Sequence, residues 1–414
     1  MAQEQFAQDG PRVAIIGAGI VGVTTALRLK ELGAYPIILD AAEDAATATS
    51  AQNAAQLSYT SVDSVASPDL LSLIPSILMG QSPSAKLSPL WVKDYFSWAL
   101  KFLTQAKASQ FEKNSLANLE LSMASKAVFA EWLEKYEFEF DYRASGKLTV
   151  LGPKANLTAA QLWADKKKKL GAEIEVLDHE GAVRKEPTFI QFQGRCKGGI
   201  YSPGDSVGDA RKFAREALRH LVETGTGKFL PNHRVLDVVM DQQEMRHLIT
   251  DQGRVEADAF VICAGLQSVD LCARLGKKLP LAPMAGYSLS LPMGKAVPDV
   301  AITDSENKAV VTRLGDRIRY AGYADFVPAQ RGISAKRLNT FKARLFERFP
   351  LVALDEGDLS PWMGFRPLTP DSQPVIGRLT QKNGYINTGH GMFGWILSAG
   401  SADRVARQII REVK

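Results

Sequence analysis

Glycines at positions 17, 19 and 22, inside VAIIGAGIVG, and an acid at Asp40 have the spacing of a site for a pyrophosphate and its ribose. Gly17 makes the tight turn, Gly19 lets the backbone approach the phosphates, and Gly22 lets a helix pack closely on a strand. The first turn of that helix, with Ile20 and Val21, offers unpaired N–H groups and a partial positive charge to an anion. Asp40 stands where an acid accepts a hydrogen bond from a ribose hydroxyl. The competing reading is a structural glycine turn with no ligand. The strand before, the helix after and the acid beyond favour the dinucleotide.

The elements that position these residues are legible in the same stretch. RVAIIGAG is short, apolar and β-branched, and reads as a buried parallel strand. IVGVTTALRLKELG puts Val21, Ala26, Leu29 and Leu32 on one helical face and stops at Gly33. YPIILD is the next strand, completing a βαβ unit. The chain then reads as leaving this fold and returning twice: at ADAFVICAGLQS, with Ala264 and Gly265, and at NGYINTGHGMFGWIL, followed by a terminal helix striped by Val405, Ile409 and Val413. Such returns favour FAD over a nicotinamide cofactor, whose domain usually finishes before the substrate domain starts. A helix beginning near Gly391–Gly394 would face a flavin's pyrimidine edge, where reduced flavin carries negative charge; the same residues also read as an ordinary loop.

Between the returns, GKLTVLG, KGGIYSP, GYSLSLPM, KAVVTRLG and RIRYAGYADF read as short alternating strands. The expected fold is α/β with α+β character. It has a discontinuous Rossmann-like FAD-binding domain at 12–60, 200–275 and 360–414, and a substrate domain on a mainly antiparallel sheet at 61–199 and 276–359. A helical, aromatic-rich insertion is expected at about 68–110. The net charge of +5, from 50 basic and 45 acidic residues, gives no footprint for nucleic acid. Three cysteines without a C-x-x-C pair, and histidines without ligand spacing, predict neither a disulfide framework nor a metal site. No signal peptide or spanning segment is read, so a cytoplasmic location is expected.

VAIIGAGIVGVTTA, TSAQNAAQLS, PMAGYSLSLP, AVVTRLGDRIRYAG and above all WMGFRPLTPDSQPVIG with YINTGHGMFGWILSAGSADRVA extend over nearly the whole chain. On these motifs the sequence resembles the D-amino-acid oxidase-like FAD oxidoreductases, and within them the bacterial small-subunit-type D-amino-acid dehydrogenases. The resemblance implies hydride transfer from the substrate Cα–H to flavin N5, hydrolysis of the imino acid to a 2-oxo acid and ammonia, and electrons passed to a quinone or another respiratory acceptor. Same-fold alternatives act on D-proline or hydroxyproline, or on glycine or sarcosine as oxidases. Rivals of other classes are a nicotinamide-dependent dehydrogenase and a non-catalytic flavin-binding subunit.

The resemblance also assigns residues. Arg366 matches the arginine that binds the substrate carboxylate; its alternative is a structural pair with Asp371. Gln56 matches a position beside the flavin's reactive face, and Ser50, Asn53, Ala54 and Ala55 line the pyrophosphate or ring. Relatives usually carry glycine at Ala55. Tyr323, where many relatives carry methionine, offers a hydroxyl to the substrate or is a core tyrosine; Tyr287 is similar. Asn307 replaces a frequent tyrosine. Gly389, His390, Gly391, Met392, Phe393 and Gly394 lie near the flavin through their backbone, with His390 also a candidate general base. Val235 has its backbone against adenine.

In LSPLWVKDYFSWALKFLTQAK, Trp91, Tyr95, Trp98 and Phe102 share one helical face, with Lys93, Lys101 and Lys107 off it. One reading lays this face on the inner surface of the bacterial inner membrane, as a peripheral contact that admits a quinone. The other packs it on the substrate domain.

Overall fold

The computed structural model describes residues 10–82, 84–294, 296–329, 332–352 and 359–413. The opening apolar run forms the strand Arg12–Ile16, which pairs in parallel with Tyr35–Leu39 and with Ala259–Ile262. The full order of this sheet among the described residues is Val375–Arg378, Gly384–Thr388, Ala259–Ile262, Arg12–Ile16, Tyr35–Leu39, Lys228–Leu230. Only Val375–Arg378 runs antiparallel to its neighbour.

The run is apolar at every position because both faces are covered. Val13, Ile15 and Ile38 join the core under the helices Ile20–Glu31, Ala108–Lys135 and Gly394–Glu412. Ala14, Ile16, Ile37 and Leu39 pack against Met245, Leu248 and Leu271 on the other side. Met245 and Leu248 come from a small antiparallel sheet spanning Val235–Asp241, Glu244–Thr250 and Gly253–Glu256.

A second sheet of nine described strands runs in the order Ser360–Leu368, Ala282–Pro292, Arg317–Phe326, Ala309–Leu314, Ala301–Asp304, Lys147–Leu151, Gly198–Ser202, Glu175–Asp178, with Ala85–Leu87 beside the end of Arg317–Phe326. It is antiparallel throughout, except that Ala301–Asp304 runs parallel to Lys147–Leu151 and Ala85–Leu87 parallel to Arg317–Phe326. Leu148, Leu289, Ile302, Val311, Ile318 and Tyr320 make one apolar face, closed by Phe341 and Leu345 of the helix Ala335–Arg348. On the opposite face Ser288, Thr303 and Thr312 bond the loop Gln52–Gln56, while Met284 and Leu368 pack under the aromatic insertion.

Three assignments differ from the expected boundaries. Gly198–Ser202 and Ser360–Leu368 are strands of the second sheet, so the boundaries expected at 200 and 360 fall inside or before strands of that sheet. The helix Ala108–Lys135, expected with the substrate domain, sends Leu119, Phe129 and Trp132 into the core shared with Ile20–Glu31. An isolated strand or helix pattern does not say which apolar face will receive it.

The aromatic face of the insertion is turned inward, which corrects the membrane reading of that stripe. Trp91, Trp98 and Phe102 are 2%, 5% and 6% exposed and pack with Met284 and Leu368. Trp91 donates to the Pro283 carbonyl, and Trp98 to those of Pro280 and Leu368. A buried indole needs an acceptor, and the ends of two strands supply it. The helix Pro68–Leu78 buries none of its residues. No described helix is long and apolar enough to cross a membrane.

Candidate active site

The glycine turn is built by close approach. A Cβ on Gly17 would sit 2.8 Å from the Cys263 carbonyl oxygen, and Gly17 has φ 109°. A Cβ on Gly22 would lie 1.8 Å from the Gly17 carbonyl oxygen. Gly19 is different: the nearest atom to its Cβ position is Ser50 Oγ, at 3.8 Å. The protein therefore leaves space at the helix start, with the Ile20 N–H donating to Ser50 Oγ at 3.2 Å. Asp40 borders the same turn, accepting from the N–H groups of Ala18 (2.7 Å) and Ala42 (2.9 Å). His233 N–H donates to the Asp40 carbonyl, which brings the segment leading to Val235 beside the turn.

The loop that follows crosses the second sheet strand by strand. The Gln52 carbonyl accepts from Ser288, Asn53 from Arg319 and Ala54 from Thr312, while Gln56 Oε1 accepts from Thr303. Ser288, Arg319, Thr312 and Thr303 lie on four neighbouring strands. This seam was invisible in the sequence, because each partner is hundreds of residues from the loop. Ala55 has φ 57°, the left-handed conformation that glycine adopts freely. The chain thus keeps the path that a glycine would allow, with Asn53 Oδ1 accepting from the Ala55 N–H.

Arg366 projects from Ser360–Leu368 onto the same face of the sheet. Its guanidinium lies over Gly286, where a Cβ would be 2.1 Å from Nη2. Nη1 donates to the Tyr323 carbonyl at 2.9 Å. Asp371 accepts instead from the Gln373 N–H, and among the described residues Arg366 has no carboxylate partner. Burial lowers its pKa to about 10, so it stays cationic at neutral pH.

Tyr323 is corrected. Its ring packs with Tyr320 and Phe341 in the apolar core, and its hydroxyl lies 3.5 Å from the Thr340 carbonyl. Strand parity would place it with Arg319 on the site face. A β-bulge reverses it: Gly322 pairs with Tyr287 and Asp325 with Ala285, giving this strand one extra residue, and Tyr323 takes φ 61°. Its contribution to the site is its carbonyl. Tyr287 is also drawn away, its hydroxyl donating to Asp325. Asn307 donates to Asp304.

His390 is corrected as a base. It is 3% exposed, its Nε2 sits 2.9 Å from Ser401 Oγ, and burial lowers its pKa to about 3. A ring so reluctant to take a proton does not serve as general base at neutral pH. Beyond it, Gly391–Phe393 forms a single 3₁₀ turn, and the helix Gly394–Glu412 begins with no side chain capping it. This uncapped helix start, with Gly389 and the exposed Met392 nearby, presents its positive dipole end to an anionic edge. Phe393 is buried.

These features fit FAD. The space at Gly19 suits a pyrophosphate, and the uncapped helix start at Gly394 suits a ring that gains negative charge. Gln56 Nε2 is buried at the seam with no partner among the described residues. The comparisons with known proteins agree. Residues 12–408 match the family described as FAD dependent oxidoreductase (DAO), and the chain belongs to that family. It is a flavoenzyme of the oxidoreductase class, with FAD as cofactor. Among curated proteins it is similar to D-amino acid dehydrogenases of Rhizobium rhizogenes (32% identity; 94% of each chain) and Paramagnetospirillum magneticum (33%; 95% of this chain, 94% of the relative). Among solved structures, L-proline dehydrogenase from P. horikoshii shares the fold at TM-score 0.74 and 16% identity, covering 97% of this chain and 94% of that one. Glycine oxidase from Geobacillus kaustophilus does so at 0.72 and 19%, covering 97% and 95%.

Proposed function

We propose that this enzyme deaminates D-amino acids oxidatively, giving 2-oxo acids and ammonia. The observation that carries this reading is Arg366: a charged guanidinium on the site face, held by the Tyr323 carbonyl and without a carboxylate partner among the described residues. Its remaining N–H groups form a planar fork for the substrate carboxylate. Anchored there, the substrate presents its Cα–H to the flavin side of the cleft, which is a positioning task. Bound FAD supplies the hydride acceptor. Gln56, whose amide N–H has no partner among the described residues, would be available to the flavin ring. The amine's proton goes to water, since His390 is neutral and engaged with Ser401. The dehydrogenase names of the full-length relatives support the substrate class; the proline and glycine enzymes of the same fold mark the alternative.

The test is anaerobic bleaching of the flavin band at ~450 nm by a panel of D- and L-amino acids, glycine, sarcosine and D-proline. Bleaching by D-amino acids, lost in Arg366→Ala with flavin retained, is the expected result. A band that responds only to glycine, sarcosine or D-proline moves the substrate to the alternative.

The proposed acceptor is a respiratory quinone, reached from the inner surface of the membrane. With the aromatic stripe buried, the surface offered is the outer side of the insertion. Leu71, Leu73, Leu78, Met79, Leu90, Phe96 and Leu100 are exposed there, and Lys86, Lys93, Lys101 and Lys107 are exposed along the same segment. Apolar side chains with nearby lysines suit an anionic lipid surface. Flotation with anionic liposomes, weakened in Leu78→Ser/Phe96→Ser, is expected; unchanged flotation removes this contact.

A further inference from the structure

The bulge that turns Tyr323 away from the site carries a second arginine on its other side. Asp325, 1% exposed, accepts from Arg337 Nε at 2.9 Å, from Arg337 Nη2 at 2.5 Å and from the Tyr287 hydroxyl at 2.9 Å. Arg337 reaches in from the helix Ala335–Arg348. Its guanidinium lies 4.1 Å from the centre of the Tyr323 ring, which Phe341 flanks at 4.7 Å. The Tyr323 N–H is spent on the Lys308 carbonyl. Ion pair, cation–π contact and ring packing together hold a left-handed tyrosine that its own backbone preference disfavours.

Two arginines thus converge on one bulge with different partners. Arg337 takes the buried carboxylate. Among the described residues Arg366 donates only to the Tyr323 carbonyl. The charge of Asp325 is nevertheless felt at Arg366. A buried carboxylate stripped of its partner seeks another cation, and Arg366 is the one whose guanidinium already touches this bulge.

We propose that Arg337 is a positioning residue for the substrate: by occupying Asp325, it keeps Arg366 aimed into the site and available to the substrate's carboxylate. This rests on the reading of Arg366 as the anchor. Losing Arg337 then weakens substrate binding more than it slows the chemistry, because the flavin side of the site is untouched.

The experiment is anaerobic stopped-flow reduction of the holoenzyme by whichever D-amino acid bleaches it fastest, separating Kd from the limiting rate. Arg337→Gln is expected to raise Kd about tenfold or more, with the limiting rate within about threefold of wild type. The double variant Arg337→Gln/Asp325→Asn removes the competing charge and is expected to return Kd to within about threefold. A purely structural clamp predicts no such recovery, since the double variant lacks both halves. An unchanged Kd in Arg337→Gln, or a double variant no better than the single, overturns the proposal. If Arg337→Gln does not retain flavin, Arg337→Lys carries the test, with Kd expected to rise about threefold; an unchanged value overturns it. Arg366→Lys is measured alongside. If it too leaves Kd unchanged, the anchor reading has failed; if it raises Kd while Arg337 variants do not, only the positioning role falls.

Discussion

The nucleotide turn and the substrate shelf meet across one seam but are assembled on different scales. Gly17, Gly19, Gly22 and Asp40 belong to a single βαβ unit, where Gly22 abuts Gly17 and Asp40 holds the Ala18 N–H; outside it they meet only a few residues, such as Cys263 and Ser50. Gly286, Tyr323 and Arg366 come from three separate strands, brought together by sheet pairing. In the first region a residue's role follows from space: a Cβ fits or it does not. In the second it follows from competition among partners: which carbonyl holds Arg366, and which arginine holds Asp325.

The sharpest way to break that contrast is at Gly22. Any side chain there collides with the Gly17 carbonyl, which is backbone and cannot swing aside. Gly22→Val is expected to yield protein without flavin, read from the ratio of flavin to protein absorbance. Flavin retained at wild-type stoichiometry would mean that the turn has slack the geometry denies.

Arg366→Ala comes next. Flavin content should be normal, because the seam of Gln52–Gln56 is untouched, while kcat/KM falls by roughly a thousandfold, the scale of removing a charge-paired anchor. A loss of flavin instead would tie the two regions more closely than their construction suggests.

His390 sharpens the comparison through pH. Its folded pKa of about 3 lies below the ordinary imidazole value. Between those two pH values the unfolded chain binds a proton that the folded chain refuses, so stability is full above the ordinary value and falls with pH through the window. His390→Gln, which still reaches Ser401, is expected to flatten the fall in Tm on acidification, while leaving the pH dependence of flavin reduction unchanged. A shift in that kinetic profile would restore His390 as a proton acceptor.

The smallest effect is expected at Ala55. A left-handed alanine costs about 1 kcal/mol relative to glycine. Ala55→Gly should leave flavin binding intact and raise Tm by roughly one or two degrees for a chain of this size. A lower Tm would show that the Ala55 methyl packs more than its conformation costs.

Legibility in the sequence followed the same division. The βαβ unit was readable because strand, turn, helix and acid are neighbours, and each carries its own pattern. The two later returns to the first sheet were readable for the same reason. The boundaries at 200 and 360 were not, since Gly198–Ser202 and Ser360–Leu368 look locally like strands of either sheet. Trp91, Trp98 and Phe102 show the same ambiguity: a stripe at helical spacing specifies a face, and only the carbonyls of Pro280, Pro283 and Leu368 decide that it points inward.

What the sequence by itself determined is the glycine turn, the parallel strands around it and the family; through GFRPLTPD it also pointed to the arginine proposed to bind a carboxylate. Those rest on local sterics and on motifs that lie close together in the chain. What the tertiary structure alone decided is which groups are free to act. Among the described residues Arg366 has no carboxylate partner, because Asp371 bonds to its own turn and Asp325 is taken by Arg337. Tyr323 gives its carbonyl and hides its hydroxyl because one extra residue in a strand reverses parity. His390 is silenced by burial against Ser401. Each is a choice among partners distant in sequence, settled only when sheet register brings them within bonding distance.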